Sequence, residues 1–221
     1  MPEVPKKHAM AVEDYVKVIY AHTEWQREPI TTSVLAQRLG LAASSVTEMV
    51  KKLGVQGLVD HVPYGAVTLT TDGTALALRM LRRHRLIETW LVQHFGYGWH
   101  EVHDEAEVLE HALSDRLLDT IDEQLGFPIR DPHGDPIPGR DGRVHQPAAG
   151  TLRAAGEGDV VRVVRLSDRD PRLLLQFAQQ SIGLDSALTI VGTDPFAVSV
   201  AGVAGVREID PDWLDSVWVS R

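Results

Sequence analysis

Apolar positions recur at helical spacing through the first half of the chain and in short β-like runs through the last third. Val12, Tyr15, Val16, Ile19 and Tyr20 form one stripe, which predicts a helix from Met10 to about Thr23. Thr32 or Ser33 as N-cap, then Val34, Leu35 and Leu39 before Gly40, predicts a second. Leu41-Ala-Ala reads as a tight turn. Ser44 can cap a third helix whose Val46, Val50 and Leu53 face inward. Leu58 to Thr70 reads as two short strands joined at Tyr64-Gly65.

Thr71-Asp72-Gly73 leads into a long helix over residues 74–95. Leu76, Met80, Leu86, Trp90 and Phe95, with their apolar neighbours, cover so much of its circumference that it predicts packing against a second copy. Leu109, Leu113, Leu117 and Ile121 predict one further helix from His103 to about Leu125. Residues 126–150 are rich in Pro, Gly and Asp, a linker composition. Beyond them, Val160–Leu166, Ala187–Val191, Phe196–Val200, Val206–Ile209 and Val217–Val219 read as strands, with one helix from Pro171 to about Ser181. Short strands at this spacing predict a small barrel.

Composition narrows what this architecture can do. The 221 residues include no cysteine, which excludes disulfides, thiolate metal sites and cysteine nucleophiles. The chain has no 18-residue apolar run and no signal-peptide pattern, so a soluble, cytoplasmic protein is expected. The net charge of −9 is unevenly spread. Residues 1–85 hold 11 Lys+Arg against 8 Asp+Glu, whereas residues 86–221 hold 11 against 23. A mildly basic front and an acidic rear suit a DNA-facing end joined to a cation-binding body.

Helix, short turn, helix and β-wing form the helix-turn-helix arrangement, whose second helix enters the major groove. The recognition helix is then about Ser44–Leu53. Ser44, Ser45, Thr47 and Glu48 lie near its N-terminal end, where base edges are read; the hydroxyls can donate or accept, and Glu48 can accept from a cytosine amino group. Lys51 and Lys52, with Thr32 and Ser33 on the preceding helix, are placed for phosphate. The same fold can instead serve protein contacts.

The metal-type chemistry lies in His103-Asp-Glu-Ala-Glu-Val-Leu-Glu-His111. On a helix Glu107, Glu110, His111 and His103 converge on one stripe, offering oxygen and nitrogen donors. A solvated acidic face with incidental histidines is the alternative. His84 and Glu88 make a second donor pair at i, i+4, which can equally be a surface hydrogen bond. Arg79, Arg82, Arg83 and Arg85 are available to phosphate or to the acidic rear. His133, in the stiff Asp131-Pro-His-Gly-Asp-Pro-Ile-Pro-Gly139, reads either as a metal ligand or as an exposed turn residue.

Five segments occur in order: Glu13-Asp14-Tyr15, Ser44-Ser-Val-Thr47, Arg82-Arg-His-Arg-Leu-Ile-Glu88, Val102 to His111, and Asp131 to Gly139. Together they resemble the diphtheria toxin repressor (iron-dependent repressor) family of metal-activated regulators, and most of all its actinobacterial manganese-sensing branch. The resemblance implies a mainly α N-terminal two-thirds, with a winged helix-turn-helix over 1–73 and a helical metal-binding and dimerisation domain over 74–140. A linker over 141–150 and an SH3-like β domain over 151–221 complete it. It implies a primary metal site of Asp14, Glu107, Glu110 and His111, with His84 as a further nearby ligand. A second site would draw on Glu88 and His103, on Asp131 and His133, and on an acid of the third domain. Where iron-type relatives place a glutamate and a glutamine, this chain has Leu173 and Gln176; leucine cannot ligate, which leaves Asp168 or Asp170, and Asp168 is taken. Iron-type members carry methionine and cysteine where this chain has Asp14 and Glu107. Some short manganese sensors carry a further glutamate where this chain has Lys17, so their closely spaced metal pair is not expected.

The expected function is therefore a homodimeric, Mn(II)-activated repressor that reads a pseudo-palindromic operator, with Fe(II) or Co(II) as surrogate metals, no membrane partner and no small-molecule substrate. An iron-responsive repressor, a metallohydrolase and a winged-helix sensor of an organic ligand are the alternatives.

Overall fold

The computed structural model describes residues 4–26, 28–62 and 65–221. They divide into two compact units. One runs to Arg83 and takes in Pro138–Arg143; the other is His84–Ile137 with Val144–Arg221.

The first unit begins with helix α1 (Val4–Trp25), followed by β1 (Ile30–Thr31), α2 (Thr32–Leu39), α3 (Ala43–Val55), β2 (Val59–His61) and β3 (Ala66–Leu69). Its core is Val12, Tyr15, Ile19, Leu35, Val46, Val50, Leu53, Val59 and Val67. These are the inward positions of the three helices and the wing. The strands form an antiparallel sheet in the order β1-β3-β2. Tyr64, assigned to the wing turn from sequence, lies outside the described residues.

Two helix starts differ from expectation. Thr31, not Thr32 or Ser33, caps α2: its extended backbone (φ −95°, ψ 161°) pairs with Ala66, and its hydroxyl accepts from the Val34 amide at 3.3 Å. Strand pairing thus fixes where the helix begins. Ser44 is not a cap either. Ala42 occupies the cap position without a side-chain bond, and its carbonyl accepts from Val46. Ser44 and Ser45 are left exposed in the first turn. Gly40 closes α2 at φ 64°, a conformation that only glycine adopts without penalty.

Helix α4 (Thr71–Phe95) starts three residues earlier than its apolar stripe suggests. Gly73 explains the tolerance. A Cβ there would stand 1.9 Å from the Leu58 carbonyl oxygen, so the helix's first turn packs directly on backbone.

In the second unit the helix expected from His103 to Leu125 is two helices, α5 (Val102–Leu109) and α6 (Asp115–Gln124). Ser114 is extended (ψ 154°) and its hydroxyl accepts from the Leu117 amide at 3.3 Å, restarting the helix on a new axis. The apolar stripe restarts with it. Leu118 and Ile121 are buried with Leu86 and Ile137, while Leu117 is exposed. Glu110 keeps helical backbone angles as the C-cap of α5.

The chain ends in β4 (Gly150–Thr151), β5 (Val160–Leu166), α7 (Pro171–Gln179), β6 (Ala187–Thr193), β7 (Phe196–Val200), β8 (Val206–Glu208) and β9 (Val217–Ser220). The six strands make one antiparallel sheet ordered β4-β9-β5-β6-β7-β8, the SH3-like domain expected. Val163, Leu166, Phe177, Leu188, Val198 and Val217 fill it. A bulge interrupts β5 against β9: Val163 pairs with Val219, Arg165 with Trp218 and Leu166 with Val217, leaving Val164 as the extra residue. Leu166 thereby shares the core face with Val163, and Arg165 shares the opposite face with Trp218.

Candidate metal centre

Four segments of the second unit bring donors together: α4, α5 with the turn after it, the loop over 130–137, and the end of β5. The i, i+4 spacing on α4 sets His84 and Glu88 on one face, and both side chains are buried, which excludes the surface-hydrogen-bond reading. His84 faces two ways. Its Nδ1 lies 2.6 Å from Glu110 Oε2 and 3.9 Å from Glu107 Oε1. Its Nε2 lies 3.0 Å from Glu88 Oε1 and 3.2 Å from His103 Nδ1. His111 Nε2 stands 3.4 Å from Glu110 Oε1. His103, 42 % exposed, also reaches Glu107 at 3.5 Å and Asp168 at 3.2 Å.

The 130–137 loop supplies a third group. His133 is fully buried, so the reading of an exposed turn residue does not hold. Its Nε2 is 2.6 Å from the Trp99 carbonyl. A carbonyl only accepts, so Nε2 carries a proton and Nδ1 is the atom left to ligate. Nδ1 is buried without a hydrogen-bond partner among the described residues, 3.8 Å from Glu88 Oε2. Asp131 shapes the loop: its Oδ1 accepts from the His133 and Asp135 amides at 2.8 and 2.9 Å. In each of three triads, His84-Glu88-His103, His84-Glu107-Glu110 and Glu88-Asp131-His133, one donor atom per residue lies within 4.8 Å of the others.

The electrostatics are those of carboxylates gathered around imidazoles. Burial opposes charge on Glu88, but the His84, His103 and His133 rings outweigh it and hold the carboxyl below its ordinary range. Burial likewise opposes charge on His103, yet Asp168 and Glu88 push it up to about 11. Asp168 is held well below the usual carboxylate range despite burial, first by its hydrogen bond to His103. Asp131 moves the other way, up to about 8, through burial and the neighbouring Asp135 and Glu88 charges. Protons on imidazole thus balance carboxylates whose donor set, hard oxygen with borderline nitrogen, suits a divalent cation.

Asp14 lies half-buried on α1, in the first unit. Arg82 and Arg85 are not available to phosphate: both are buried, donating to the Pro138 and Pro136 carbonyls at 2.9 and 2.6 Å. Leu173 is in the core of the β domain, and Asp170 caps α7 and pairs with Arg172. The sequence reading missed Trp99, whose contribution is a backbone carbonyl, and the Asp135–Arg165 pair beneath the site; the repeat of Asp at 131 and 135 around a glycine was the only signal.

On the first unit, Ser44, Ser45, Glu48, Lys51 and Lys52 are exposed on α3, as is Ser33 on α2, with Thr32 and Thr47 half-exposed. Thr47 donates its hydroxyl to the Ala43 carbonyl at 2.8 Å. Glu48 and Lys52 form an ion pair at 2.8 Å. A cytosine and a phosphate would therefore each compete with this pair for one of its partners.

Residues 9–67 match the N-terminal DNA-binding domain of the iron-dependent repressors, and residues 70–139 their metal-binding and dimerisation domain. The diphtheria toxin repressor of Corynebacterium efficiens is 32 % identical over 199 residues, covering 86 % of this chain and 84 % of that protein. The iron-dependent repressor IdeR of Mycobacterium leprae is 32 % identical over 190 residues, 84 % of this chain and 80 % of that one. Among solved structures, a manganese-dependent transcriptional repressor in complex with manganese is 48 % identical with a TM-score of 0.90, covering 94 % of this chain and 98 % of its own. The manganese regulator SloR is 30 % identical with a TM-score of 0.79, over 95 % and 98 % of the two chains.

Proposed function

The chain belongs to the iron-dependent repressor family and is a metal-dependent, DNA-binding transcriptional repressor that dimerises, and from that premise we propose that its corepressor is Mn(II), held in two sites. The metallohydrolase reading falls with the family, whose matched domains bind DNA, bind metal and dimerise. No helix among the described residues is long and apolar enough to cross a membrane, and the proposed setting is the cytoplasm.

The primary site is assigned to Asp14, Glu107, Glu110 and His111, with His84, 2.6 Å from Glu110, as a further nearby ligand. The second site is assigned to Glu88, His103, Asp131, His133 and Asp168, with His84 Nε2 facing it. The observation that carries the assignment is the buried Nδ1 of His133, which has no hydrogen-bond partner among the described residues and stands 3.8 Å from Glu88 Oε2, with the Glu88 and Asp131 carboxylates drawing positive charge to that position. A divalent cation held there would take over the positive charge that protons on the imidazoles otherwise supply. The chain's own residues would hold it: Trp99 fixes the His133 ring, and the neighbouring carboxylates would offer it hard oxygen donors. Manganese is favoured because all assigned donors are oxygen or imidazole nitrogen, with carboxylates at positions 14 and 107. The manganese-dependent relative at 48 % identity supports the same metal.

DNA recognition is assigned to Ser44, Ser45, Thr47 and Glu48 for base edges, and to Thr32, Ser33, Lys51 and Lys52 for phosphate. The mechanism is linkage. Asp14 belongs to the DNA-reading unit and the remaining primary ligands to the other. A metal that prefers the DNA-competent arrangement raises DNA affinity by the factor by which DNA raises metal affinity. The test is an operator-binding titration of chelator-stripped protein with Mn(II), Fe(II), Co(II) and Mg(II). Tight binding should return with Mn(II) at least as readily as with Fe(II); a strong preference for Fe(II) would make this an iron sensor.

A further inference from the structure

On the assignment above, the third domain contributes Asp168 to the second site, two residues after β5 and 3.2 Å from His103. What places Asp168 is the packing between β5 and the 130–137 loop, and this packing contains no metal ligand bond. The bulge at Val164 turns Arg165 onto the face opposite the barrel core, where its guanidinium lies 4.1 Å from the centre of the Trp218 ring. There Arg165 Nε donates to Asp135 Oδ1 at 2.6 Å, with both side chains buried. Asp135 is also approached by Arg85 Nη2 from α4 at 3.7 Å. The metal-binding helix, the loop and the β domain thus meet around one carboxylate.

Backbone contacts close the same seam. The Leu166 amide donates to the His133 carbonyl at 2.9 Å, so the loop adds to the sheet beside the bulge. Gly134 sits there at φ 92°; a Cβ on it would stand 2.1 Å from the Val164 carbonyl oxygen and 2.9 Å from Arg165 Cα. Trp99 packs its ring against the core of the β domain while its carbonyl holds His133. Arg130 adds a two-pronged ion pair to Asp185 at the β5–β6 connection.

Resting on the two-site reading above, we propose that Arg165 is a positioning residue of the second metal centre. With Gly134 it clasps the third domain onto the metal-binding helices before any metal binds. The clasp sets Asp168 against His103, so the second metal meets assembled ligands instead of recruiting a loose domain. Holding donors in place before binding removes the ordering cost from the affinity, as outer partners of metal ligands do elsewhere.

The test uses full-length protein stripped with chelator. Hydrogen exchange at the Leu166 amide reports the clasp, and Mn(II) calorimetry reports the two sites. In the metal-free wild type Leu166 should stay protected. Arg165→Met should weaken the second site by about ten- to a hundredfold while the primary isotherm is unchanged. Arg165→Lys should recover part of the loss, because it keeps the charge without the planar fork. Gly134→Ala should raise exchange at Leu166 while amides of β6 and β7 remain protected, showing that the barrel itself is intact. If stripping metal alone exposes Leu166 as fully as Gly134→Ala, metal holds the domain and the clasp is wrong. Wild-type second-site affinity in both Arg165→Met and Gly134→Ala would also overturn it. Asp168→Ala separates the underlying reading: if that variant binds both metals as wild type does, Asp168 is no ligand, whatever the exchange shows.

Discussion

His84 Nδ1 meets Glu110 Oε2 at 2.6 Å while the opposite nitrogen of the same ring faces Glu88 at 3.0 Å. One imidazole therefore stands between the two proposed sites. His84→Ala should lower metal occupancy at both, whereas His103→Ala should affect chiefly the second. Glu110→Gln or His111→Ala should abolish metal-dependent operator binding and leave a folded dimer. Equilibrium dialysis with Mn(II), paired with an operator shift assay, reads both. Metal-dependent binding at wild-type metal concentrations in either last variant would remove those residues from the primary site.

Metal choice should follow positions 14 and 107. Raw affinity of nitrogen and oxygen donors rises from manganese towards copper, so selectivity for manganese must come from donor hardness and ligand number. Asp14→Met combined with Glu107→Cys replaces two hard, anionic oxygens by polarisable sulfur. The double variant should shift from Mn(II) towards Fe(II) in anaerobic operator binding. An unchanged Mn(II) preference would show that these two residues do not encode it.

Second-site affinity should rise with pH through the neutral range. His103, with its pKa near 11, carries a proton at pH 7 that a metal must displace, and Asp131, near 8, carries another. Each proton released steepens the apparent affinity by about one decade per pH unit below that group's pKa. Calorimetry in buffers of different ionisation enthalpy would count the protons. In the metal-free chain the sign reverses for stability: the raised His103 pKa contributes fully below its unfolded value and is lost as pH climbs through the folded one.

On DNA, Lys52→Ala should weaken specific and non-specific sites alike and reduce the salt slope by about one. Glu48→Gln frees Lys52 from its ion pair, so it should change base preference without reducing that slope. A salt slope unchanged by Lys52→Ala would show that Lys52 does not touch phosphate.

Much of this was legible from spacing. The strand limits of β5 and β7, the inward triplet Val46-Val50-Leu53 and the pairing of His84 with Glu88 follow from period alone. What spacing hides is whatever depends on the partner. The break at Ser114 was signalled by a good capping residue, but the apolar positions on either side fit one continuous stripe equally well. Thr31 became a cap because β3 pairs with it, and no helical pattern contains that fact. Arg82 and Arg85 resemble a surface run until the carbonyls of the 130s loop claim them. Trp99 could not be found at all, because its part in the site is played by an oxygen that every residue has.

The odd residue at Val164 has a wider meaning. Removing it would exchange the faces of Arg165 and Leu166, driving a guanidinium into the barrel and an aliphatic chain out of it. The core thus tolerates the strand's final residues only in this count, and through Arg165 the same count sets where Asp168, two residues beyond the strand, is carried. A one-residue deletion in β5 should therefore disturb the barrel and the proposed second metal site together.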